Sequence, residues 1–330
     1  MQFARKQQQE LRAGSEMAAM LAEATPWIKT ATGKTVVIKY GGSAMVDERI
    51  RQEVMNDIVL LKLIGLNPAI IHGGGNAISD MMGRLDIPVE FKGGLRVTGD
   101  EAMDVTRMVL TGQVNQDLVR DLNRHGNLAV GVSGADGGTI IAKQMSPDLG
   151  RVGRIATINA GFVNEVIAAD YIPVIASVAL GTDGGYYNIN ADMVAGDIAA
   201  AIGAHKVIFL TDVDGLYRDF SDKDSLISDL TVDEAEEMIQ SGSLATGMIP
   251  KLRSCVAALR AGVPRAHIVN GTTPHALLLE LLTDAGVGTV ITPTQADESY
   301  EAHPLGNFAS KLNENYASSD DRVRSIWNRE

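Results

Sequence analysis

The chain has 330 residues, of which 45% are hydrophobic and 21% are charged, a balance typical of soluble globular proteins large enough for two lobes. Its 41 acidic and 29 basic residues give a net charge of −12 at pH 7. This charge argues against a general nucleic-acid binder, because the phosphate backbone requires a basic face. No stretch approaches the apolar length of a membrane span. We therefore expect neither nucleic acid nor membrane as a partner, and any phosphate must be recognised locally.

Cysteine content and the N-terminal composition indicate the compartment. The single cysteine, Cys255, excludes an internal disulfide bond. The first residues include Arg5, Lys6 and three glutamines, and they contain no apolar core of a signal peptide. We therefore expect the protein to be cytoplasmic.

The segment before the first predicted strand contains a short amphipathic helix. Met17, Met20, Leu21 and Ala24 recur at helical spacing ahead of Pro26. This apolar stripe either folds back on its own chain, which is the commoner outcome, or packs on another subunit.

A strand that ends in two glycines follows at residues 34–43. An uninterrupted apolar run from Val36 leads to Lys39, and Gly41 and Gly42 then break the pattern. Such a run is typical of a strand buried on both faces of a parallel sheet. The glycines let backbone N–H groups approach a ligand and the lysine adds positive charge, which suits a phosphate. Both common glycine-rich nucleotide motifs are absent, and on this stretch alone a glycine turn beside a solvated lysine is favoured.

A second strand, at residues 68–72, runs into three glycines and a helix. Gly73, Gly74 and Gly75 precede a helical stretch that ends at Arg84. This arrangement forms an anion site, because the unpaired N–H groups of the first helical turn point at the ligand. A tight turn that needs positive φ is the structural alternative, although three consecutive glycines exceed what a turn requires.

Residues 89–98 are predicted to form a β-hairpin. With a three-residue loop at 92–94 and Gly94 left-handed, the apolar side chains share one face and Glu90 opposes Arg96 on the other. The forked donors of Arg96 then either hold a carboxylate or pair with Glu90. The sequence hardly separates these two interpretations.

Three polar residues lead into an alanine-rich helix in the middle of the chain. Asn188, Asn190 and Asp192 are spaced two apart. Asn190 as N-cap and Asp192 in the first turn would satisfy the helix end. Because capping alone needs fewer polar residues, a functional role stays open.

The second half repeats the alternation of strands and helices. A strand at residues 205–210 leads into a candidate ligand wall, because open α/β sheets bind ligands beyond the carboxyl ends of their strands. This loop consists of Thr211, Asp212, Val213, Asp214, Gly215 and Leu216. Its two aspartates also suggest a metal, although aspartates in a turn are usually turn formers.

A further helix is predicted after Gly247. Pro250 suits the first helical position, so Lys251 lies in the first turn. The helix dipole disfavours a cation there, and a lysine at this end therefore requires a nearby anion.

Six short motifs occur in one order along the chain. They are Lys39-x-Gly41-Gly42, His72-Gly-Gly-Gly75, Gly94-Leu-Arg-Val-Thr98, Asn188-x-Asn-Ala-Asp192, Thr211-Asp-Val-x-Gly215 and Gly247-Met-Ile-x-Lys251. In order and spacing they resemble the amino acid kinase family, in particular its members that act on N-acetyl-L-glutamate. The resemblance covers roughly residues 15–292, and six ordered motifs are far more specific than any single one.

The resemblance implies an α/β fold, a three-layer αβα sandwich with a mostly parallel open central sheet. It also implies an oligomerisation helix at residues 1–30, an N-terminal lobe at 31–204 for the acetylated amino acid, and a C-terminal lobe at 205–295 for ATP. Residues 296–330 are expected to form a mobile tail, because most of this segment has little periodic apolar content and many charges.

The implied reaction transfers the γ-phosphoryl group of ATP to the side-chain carboxylate of N-acetyl-L-glutamate in arginine biosynthesis. The acceptor is already ionised at neutral pH, so no general base is needed, and no convincing one is found. The reaction does need in-line positioning and neutralisation of charge. By resemblance, Lys39 and Lys251 flank the phosphoryl group and Asp192 orients both lysines. Mg²⁺ is an expected cofactor, for which we name no protein ligand.

The resemblance also implies binding residues for both substrates. Those for the acetylated amino acid are Gly74, Gly75, Arg96 and Asn188. Those for ATP are Gly41, Gly42 and the 211–216 loop, with the stretch from Ser243 as a further wall. Arg96 would grip the α-carboxylate of the amino acid and Asn188 its amide region.

The N-terminal extension of this chain resembles that of family members which form hexamers and are inhibited by the end product arginine. Family members without the extension are dimers. The extension in this chain therefore implies a homohexamer built from dimers of N-terminal lobes, with L-arginine as inhibitor. The matching arginine-site residues are His267, Glu280 and Gly286, where an acid and carbonyl groups near a helix end can bind a guanidinium or amino group.

Two alternative functions stay open. A kinase for a related acid, such as an aminoadipate derivative, would share the fold and the lysines. A non-catalytic arginine-binding regulator is the other alternative, and the presence of Lys39, Lys251 and Asp192 together argues against it.

Overall fold

The computed structural model describes residues 2–293, apart from residues 46, 220, 243, 245–246 and 284–285. Its strands are β1 (Thr35–Tyr40), β2 (Asn67–His72), β3 (Phe91–Lys92), β4 (Leu95–Arg96), β5 (Ala129–Ser133), β6 (Ile140–Gln144), β7 (Gly153–Ile158), β8 (Ile172–Ala176), β9 (Val178–Gly181), β10 (Tyr186–Asn188), β11 (Lys206–Thr211), β12 (Leu216–Tyr217), β13 (Leu226–Ile227), β14 (Asp229–Thr231), β15 (Ala266–Asn270) and β16 (Thr289–Thr292). Its α-helices are α1 (Gln2–Ala31), α2 (Glu48–Leu63), α3 (Gly75–Arg84), α4 (Asp100–Arg107), α5 (Asn115–Asn123), α6 (Gly161–Ala168), α7 (Ala191–Ala201), α8 (Val232–Ser241), α9 (Met248–Arg260) and α10 (Ala276–Leu282).

Within the described residues, eight strands form the central sheet in the order β14-β16-β15-β11-β1-β2-β8-β5. Neighbouring strands are parallel except for β15 and β16, which are antiparallel. β1 lies between β11 and β2, which explains why its apolar run is buried on both faces. The predicted mostly parallel open sheet is confirmed.

Alternate residues of the central strands enter two separate apolar cores. Ile38 of β1 belongs to the core formed with α2, α4, α5 and α10, whereas Val37 belongs to the core formed with α7 and α9. Ile208 and Phe209 of β11 divide in the same way. Because successive strand side chains point to opposite faces, the sheet carries helices on both sides. The predicted three-layer αβα sandwich is therefore confirmed.

The first helix is longer than the sequence predicts. α1 continues through Pro26, whereas the pattern predicted a short helix ahead of this proline. Ala24 and the last turns of α1 pack against the core of the same chain, while Leu21 is 64% exposed. The end of the helix therefore folds back on its own chain. The side chains of Met17 and Met20 lie outside the described residues.

Two further local predictions are wrong. The β3–β4 hairpin has a two-residue loop, since Phe91 pairs with Arg96. Gly93 and Gly94 both have positive φ, 57° and 79°, as a tight hairpin turn of the I′ type requires. Pro250 is the third residue of α9 and not the first, because the helix begins two residues earlier than predicted.

A π-helical segment, Met108–Val114, separates α4 from α5. Apolar spacing in the sequence gave no sign of the wider π turn. Leu110 and Val114 of this segment are buried and lie against Gly74, at the start of α3. The irregular helix therefore packs directly on a predicted site residue, a location where π segments are frequent.

Two helices on one face of the sheet, α7 and α9, cross closely. Asn190 caps α7 as predicted, and its side chain accepts the N–H of Asp192 at 2.8 Å. At Gly196 of α7, an added Cβ would lie 3.0 Å from the carbonyl oxygen of Ser254 in α9. Glycine therefore permits the close approach of the two helices.

The predicted lobes share the central sheet. Strands β1, β2, β5 and β8 come from residues 31–204, and strands β11, β14, β15 and β16 come from residues 205–295. Among the described helices, none combines the length and the apolar character needed to cross a bilayer. The predicted tail at 296–330 lies outside the described residues.

A hydrogen-bonded pair joins α2 to the start of α10. Nδ1 of His275 lies 2.7 Å from Oδ1 of Asp57, whose side chain is buried, while the imidazole is 59% exposed. The hydrogen bond and the charge of Asp57 raise the pKa of His275 above 6.5. Burial raises the pKa of Asp57 itself, although His275 opposes that shift.

We expect the His275→Gln variant to lose part of the pH dependence of unfolding. A histidine with a raised folded-state pKa stabilises the fold fully below its ordinary pKa of 6.5, and the contribution is lost as pH rises through the raised value. The difference in unfolding free energy between wild type and variant should therefore shrink as pH rises in urea titrations. His125→Gln is the matched control, because His125 contacts the neutral amide of Asn56 on α2. An equal pH response in both variants would contradict this account.

Candidate active site

The predicted glycine motifs meet at one edge of the central sheet. β1, β2 and β11 are neighbouring parallel strands, so their carboxyl ends lie side by side. Gly41 follows β1, Gly73 follows β2, and Thr211 ends β11. Ligands of open α/β sheets bind at this edge.

Two lysines from distant parts of the chain contact one carboxylate at this edge. Nζ of Lys39 lies 2.8 Å from Oδ1 of Asp192, and Nζ of Lys251 lies 3.5 Å from Oδ2. Lys39 stands on β1 on the same face as Val37, toward α7 and α9. The strand therefore supplies one lysine, α7 supplies the carboxylate and α9 supplies the second lysine.

The Asp192 carboxylate is 6% exposed, and burial alone would raise its pKa. The charges of Lys39 and Lys251 outweigh this effect and hold the pKa of Asp192 below its ordinary value. The group is therefore ionised at neutral pH, and the two lysines leave a net positive charge beside the glycines. Asp192 is also the nearby anion that Lys251 requires at the start of α9.

The two glycines after β1 have different tasks. A Cβ at Gly41 would lie 3.1 Å from Nζ of Lys39, so the missing side chain lets the ammonium group fold over the turn. Gly42 has a φ of 73°, which favours glycine, and a Cβ there would meet nothing within 4 Å. The turn therefore combines close packing of the lysine with open space beside it.

The three glycines at the start of α3 do not serve a turn with positive φ, because all three avoid that region. A Cβ at Gly74 would lie 2.8 Å from Cδ2 of Leu110, whereas one at Gly75 would meet nothing within 4 Å. α3 also begins without a side-chain cap. Its first N–H groups therefore have no capping side chain and border the open space at Gly75, an arrangement that can bind an anion.

Arg96 is buried beneath Phe91 and contacts α3. Its Nη2 donates to the carbonyl oxygen of Gly75 at 2.8 Å and to Oγ of Ser79 at 2.7 Å, and its guanidinium carbon lies 4.8 Å from the centre of the Phe91 ring. Because Phe91 is its cross-strand partner, the predicted pairing of Arg96 with Glu90 is wrong. The guanidinium lies beside the proposed anion space.

Asn188 is linked to Arg96 through Thr98. Oγ1 of Thr98 donates to the Arg96 carbonyl oxygen at 2.9 Å, and Nδ2 of Asn188 donates to Oγ1 of Thr98 at 3.4 Å. Thr98 itself is fully buried. Two predicted substrate residues thus belong to one connected cluster.

The 211–216 loop borders an open cleft of about 200 Å³ that reaches Lys251. The cleft is lined by Thr211, Asp212, Val213, Gly215, Leu216, Tyr217, Leu244, Gly247, Met248 and Lys251. Asp214 has a different environment, because it accepts hydrogen bonds from Nδ2 of Asn270 and from the hydroxyl of Tyr217, both at 2.7 Å. These bonds lower the pKa of Asp214 and tie the loop to the end of β15.

The predicted arginine-site residues form a second cluster, between β15 and α10. Nδ1 of His267 lies 2.6 Å from Oε1 of Glu280, and the N–H of Val287 donates to Oε2 at 2.8 Å. Gly286 has a φ of 50° and lies beside Oε2. Burial lowers the pKa of His267 to about 4, so Nδ1–H of the neutral ring donates to Glu280. Its buried Nε2 has no hydrogen-bond partner among the described residues.

Several contacts of the site carry no motif and were missed in the sequence. They include Ser79, Tyr217 and Asn270. Two signals were available: Ser79 lies four residues after Gly75 on the same face of α3, and Asn270 ends a strand at the ligand edge. Tyr217 lies in the short strand β12, and only the tertiary fold brings it to the cleft and to Asp214.

Comparison with protein families matches residues 34–270 to the amino acid kinase family. The chain belongs to this family. Its relatives include the acetylglutamate kinase of Bifidobacterium longum (strain NCC 2705), which is 47% identical over 298 residues, 88% of this chain and 97% of the relative. The acetylglutamate kinase of Moorella thermoacetica is 46% identical over 289 residues, 84% and 98% of the two chains. The chain is accordingly a kinase.

Solved structures show the same fold. N-acetylglutamate synthase of Neisseria gonorrhoeae, in complex with coenzyme A and N-acetyl-glutamate, matches with a TM-score of 0.75 at 23% identity, over 88% of this chain and 70% of that one. Carbamate kinase of Giardia lamblia, bound to AMP-PNP, matches with a TM-score of 0.61 at 15% identity, over 80% and 100% of the two chains. At these identities the likeness concerns the fold alone.

We expect Gly75→Ala to impair phosphoryl transfer from ATP without loss of stability. Its Cβ would enter the open space before α3, and alanine favours a helix over glycine by about 1 kcal/mol. In the matched variant, Gly74→Ala, the Cβ would crowd Leu110, and overpacking should lower the free energy of unfolding by about 1–3 kcal/mol. Urea titration and steady-state kinetics measure both effects. Wild-type turnover in stable Gly75→Ala would show that no ligand uses this space.

Proposed function

We propose that the protein transfers the γ-phosphoryl group of ATP to the side-chain carboxylate of N-acetyl-L-glutamate. The product is N-acetyl-L-glutamyl 5-phosphate, an acyl phosphate of arginine biosynthesis. The observation that carries the proposal is the convergence of Lys39 and Lys251 on Asp192 beside the uncapped start of α3. This chain aligns with 97% of the Bifidobacterium longum relative and 98% of the Moorella thermoacetica relative, and both are named acetylglutamate kinase.

The chemistry needs charge neutralisation more than proton transfer. Both the acceptor carboxylate and the phosphates are anionic at neutral pH, so their approach is opposed by repulsion. The ammonium groups of Lys39 and Lys251 would oppose that repulsion, while Asp192 keeps them at fixed positions. The N–H groups at Gly42, Gly74 and Gly75 would add donors that need no reorganisation during the transfer. No side chain is assigned as general base.

The substrate end of the site would lie between α3 and the β3–β4 hairpin. Arg96 has two Nη2 contacts to α3, which fix the plane of its guanidinium group. The remaining N–H donors would grip the α-carboxylate of the substrate. Asn188 would bind the acetamido group, since it is held in the same cluster by Thr98.

The cleft beside the 211–216 loop would hold the nucleotide, with Lys251 reaching from the cleft to Asp192. Each substrate would bind to one of the predicted lobes, the acetylated amino acid to residues 31–204 and ATP to residues 205–295. Gly41 and Gly42 would lie where the two substrates meet.

Mg²⁺ is the expected partner of ATP. It prefers oxygen ligands, keeps several waters and usually binds substrate phosphates. Over the described ranges, no group of three histidine, cysteine or acidic side chains could hold a metal ion, and Asp192 is engaged by two lysines. We therefore assign Mg²⁺ to the phosphates, whose charge it would neutralise, and name no protein ligand.

We expect Lys39→Ala to lower kcat by about 10²- to 10³-fold, the usual loss of one charge-stabilising donor. The measurement is ATP turnover with N-acetyl-L-glutamate, and hydroxamate trapping of the acyl phosphate with several acids tests the choice of substrate. Lys34→Ala is the matched control, because Lys34 precedes the same strand at its opposite end. Wild-type turnover in Lys39→Ala would show that this lysine does not take part in the reaction. A preference for an aminoadipate derivative would show that this acid, and not N-acetyl-L-glutamate, is the substrate.

We also propose that L-arginine inhibits the enzyme and that α1 joins dimers into a hexamer. The Glu280 carboxylate and the free acceptor nitrogen of His267 offer two buried acceptors for a cationic ligand. The proposal for α1 rests on the resemblance of this extension to that of hexameric family members.

We expect Glu280→Gln to raise the arginine concentration for half-inhibition by about 10- to 100-fold, the loss of one charged hydrogen bond. Uninhibited turnover should be retained, since the His267 cluster is separate from the lysines. Glu237→Gln, at an exposed position of α8, is the control. A chain without residues 2–22 keeps the packed end of α1 and should sediment as a smaller species with weaker inhibition. An arginine-sensitive hexamer from that chain would contradict the role of the helix.

A further inference from the structure

His72 is a buried histidine that the proposed chemistry does not use. It ends β2, directly before the three glycines, and its side chain is fully buried. Burial lowers the pKa of His72 to about 4, so the ring is neutral at physiological pH. A neutral imidazole has one donor and one acceptor nitrogen, and its neighbours decide which is which.

The hydrogen bonds of Asn115 determine the tautomer of His72. Nδ2 of Asn115 lies 2.8 Å from the carbonyl oxygen of Val174 and 2.9 Å from Nε2 of His72. The amide nitrogen has two hydrogens and no acceptor capacity, so both short contacts are donations. Nε2 is therefore the acceptor of the ring, and the proton lies on Nδ1. Nδ1 then donates to the carbonyl oxygen of Gly73 at 3.0 Å.

The last bond of this chain sets the orientation of one peptide plane. In a trans peptide, the carbonyl of Gly73 and the N–H of Gly74 point in opposite directions. Because His72 holds the carbonyl from the core side, the N–H of Gly74 is directed away from the core. That N–H belongs to the uncapped start of α3, which faces the anion space.

The π-helical segment explains how Asn115 reaches His72. The segment ends at Val114, and Asn115 is the next residue, 2% exposed, at the start of α5. The same segment packs Leu110 and Val114 against Gly74. Behind Asn115, a Cβ at Gly131 of β5 would lie 2.0 Å from Oδ1. Glycine at 131 therefore leaves the space that the amide oxygen of Asn115 occupies.

We propose that His72 and Asn115 are positioning residues, which direct the N–H of Gly74 at the anion that reacts. The inference rests on the proposed function for the identity of that anion, either the transferred phosphoryl group or the acceptor carboxylate. Neither side chain touches the substrates. They act through the Gly73–Gly74 peptide, which the core holds in place before any ligand binds.

Two substitutions of His72 separate the donor role from packing. In His72→Asn, the amide nitrogen stands near the former Nδ1 and can still donate to Gly73. In His72→Gln, the amide stands near the former Nε2 and can accept from Asn115, but the donation to Gly73 is lost. We expect kcat to fall by about 10- to 100-fold in His72→Gln and much less in His72→Asn, with similar KM values in both. His72→Asn should be the less stable variant, because it leaves more space in the core.

Opposite rankings of stability and kcat therefore distinguish positioning from simple support of the fold. Equal kcat values in the two folded variants, or a kcat that follows stability, would overturn the proposal. If either variant fails to fold, the tautomer of His72 in the wild-type protein tests the proposal. In wild type labelled with ¹⁵N-histidine, Nδ1 of His72 should show the protonated and Nε2 the unprotonated nitrogen shift across the neutral range. The reverse assignment of the two nitrogens, or protonation of both at pH 7, would refute the positioning role of His72.

The same set of measurements keeps the two proposals apart. Absence of N-acetyl-L-glutamate phosphorylation in the wild type would refute the proposed function and leave the tautomer result intact. An active wild type with the wrong tautomer would refute the positioning role alone.

Discussion

The ion cluster of Asp192 with Lys39 and Lys251 is the interaction on which the rest of the site depends. A buried carboxylate without partners would be strongly destabilising, and two neighbouring ammonium groups without an anion would repel each other. Together they form a cluster with one net positive charge at the ligand edge of the sheet. This cluster places a local positive charge on a chain whose net charge is −12.

Much of the framework was predictable, because it follows from short-range pattern. Buried strands of a parallel sheet are continuous apolar runs, and the runs that lead to Lys39 and to His72 are buried strands as expected. The cap at Asn190 also follows from local chemistry. Since parallel strands end at one edge, the glycine motifs behind them had to meet.

The remaining features depend on contacts that no local pattern contains. The hairpin loop was predicted too long because its apolar side chains were expected to share a face, whereas exposed Phe91 stacks on Arg96. The π-helical segment changes a helix by a single extra residue, which apolar spacing does not resolve. The bond between Asn115 and His72 joins residues 43 positions apart. Each of these three features arises from tertiary contacts, either to pack side chains or to give a buried polar group a hydrogen-bond partner.

The crossing of α7 and α9 at Gly196 has a consequence for the whole cluster. Asp192 lies on one of these helices and Lys251 on the other, so the spacing between their charges is set by how near the two helix axes come. That nearness is limited by a hydrogen atom in place of a methyl group at residue 196. The distance between the Lys251 ammonium group and Asp192 thus depends on an uncharged residue that faces the backbone of Ser254 and the methyl group of Ala258.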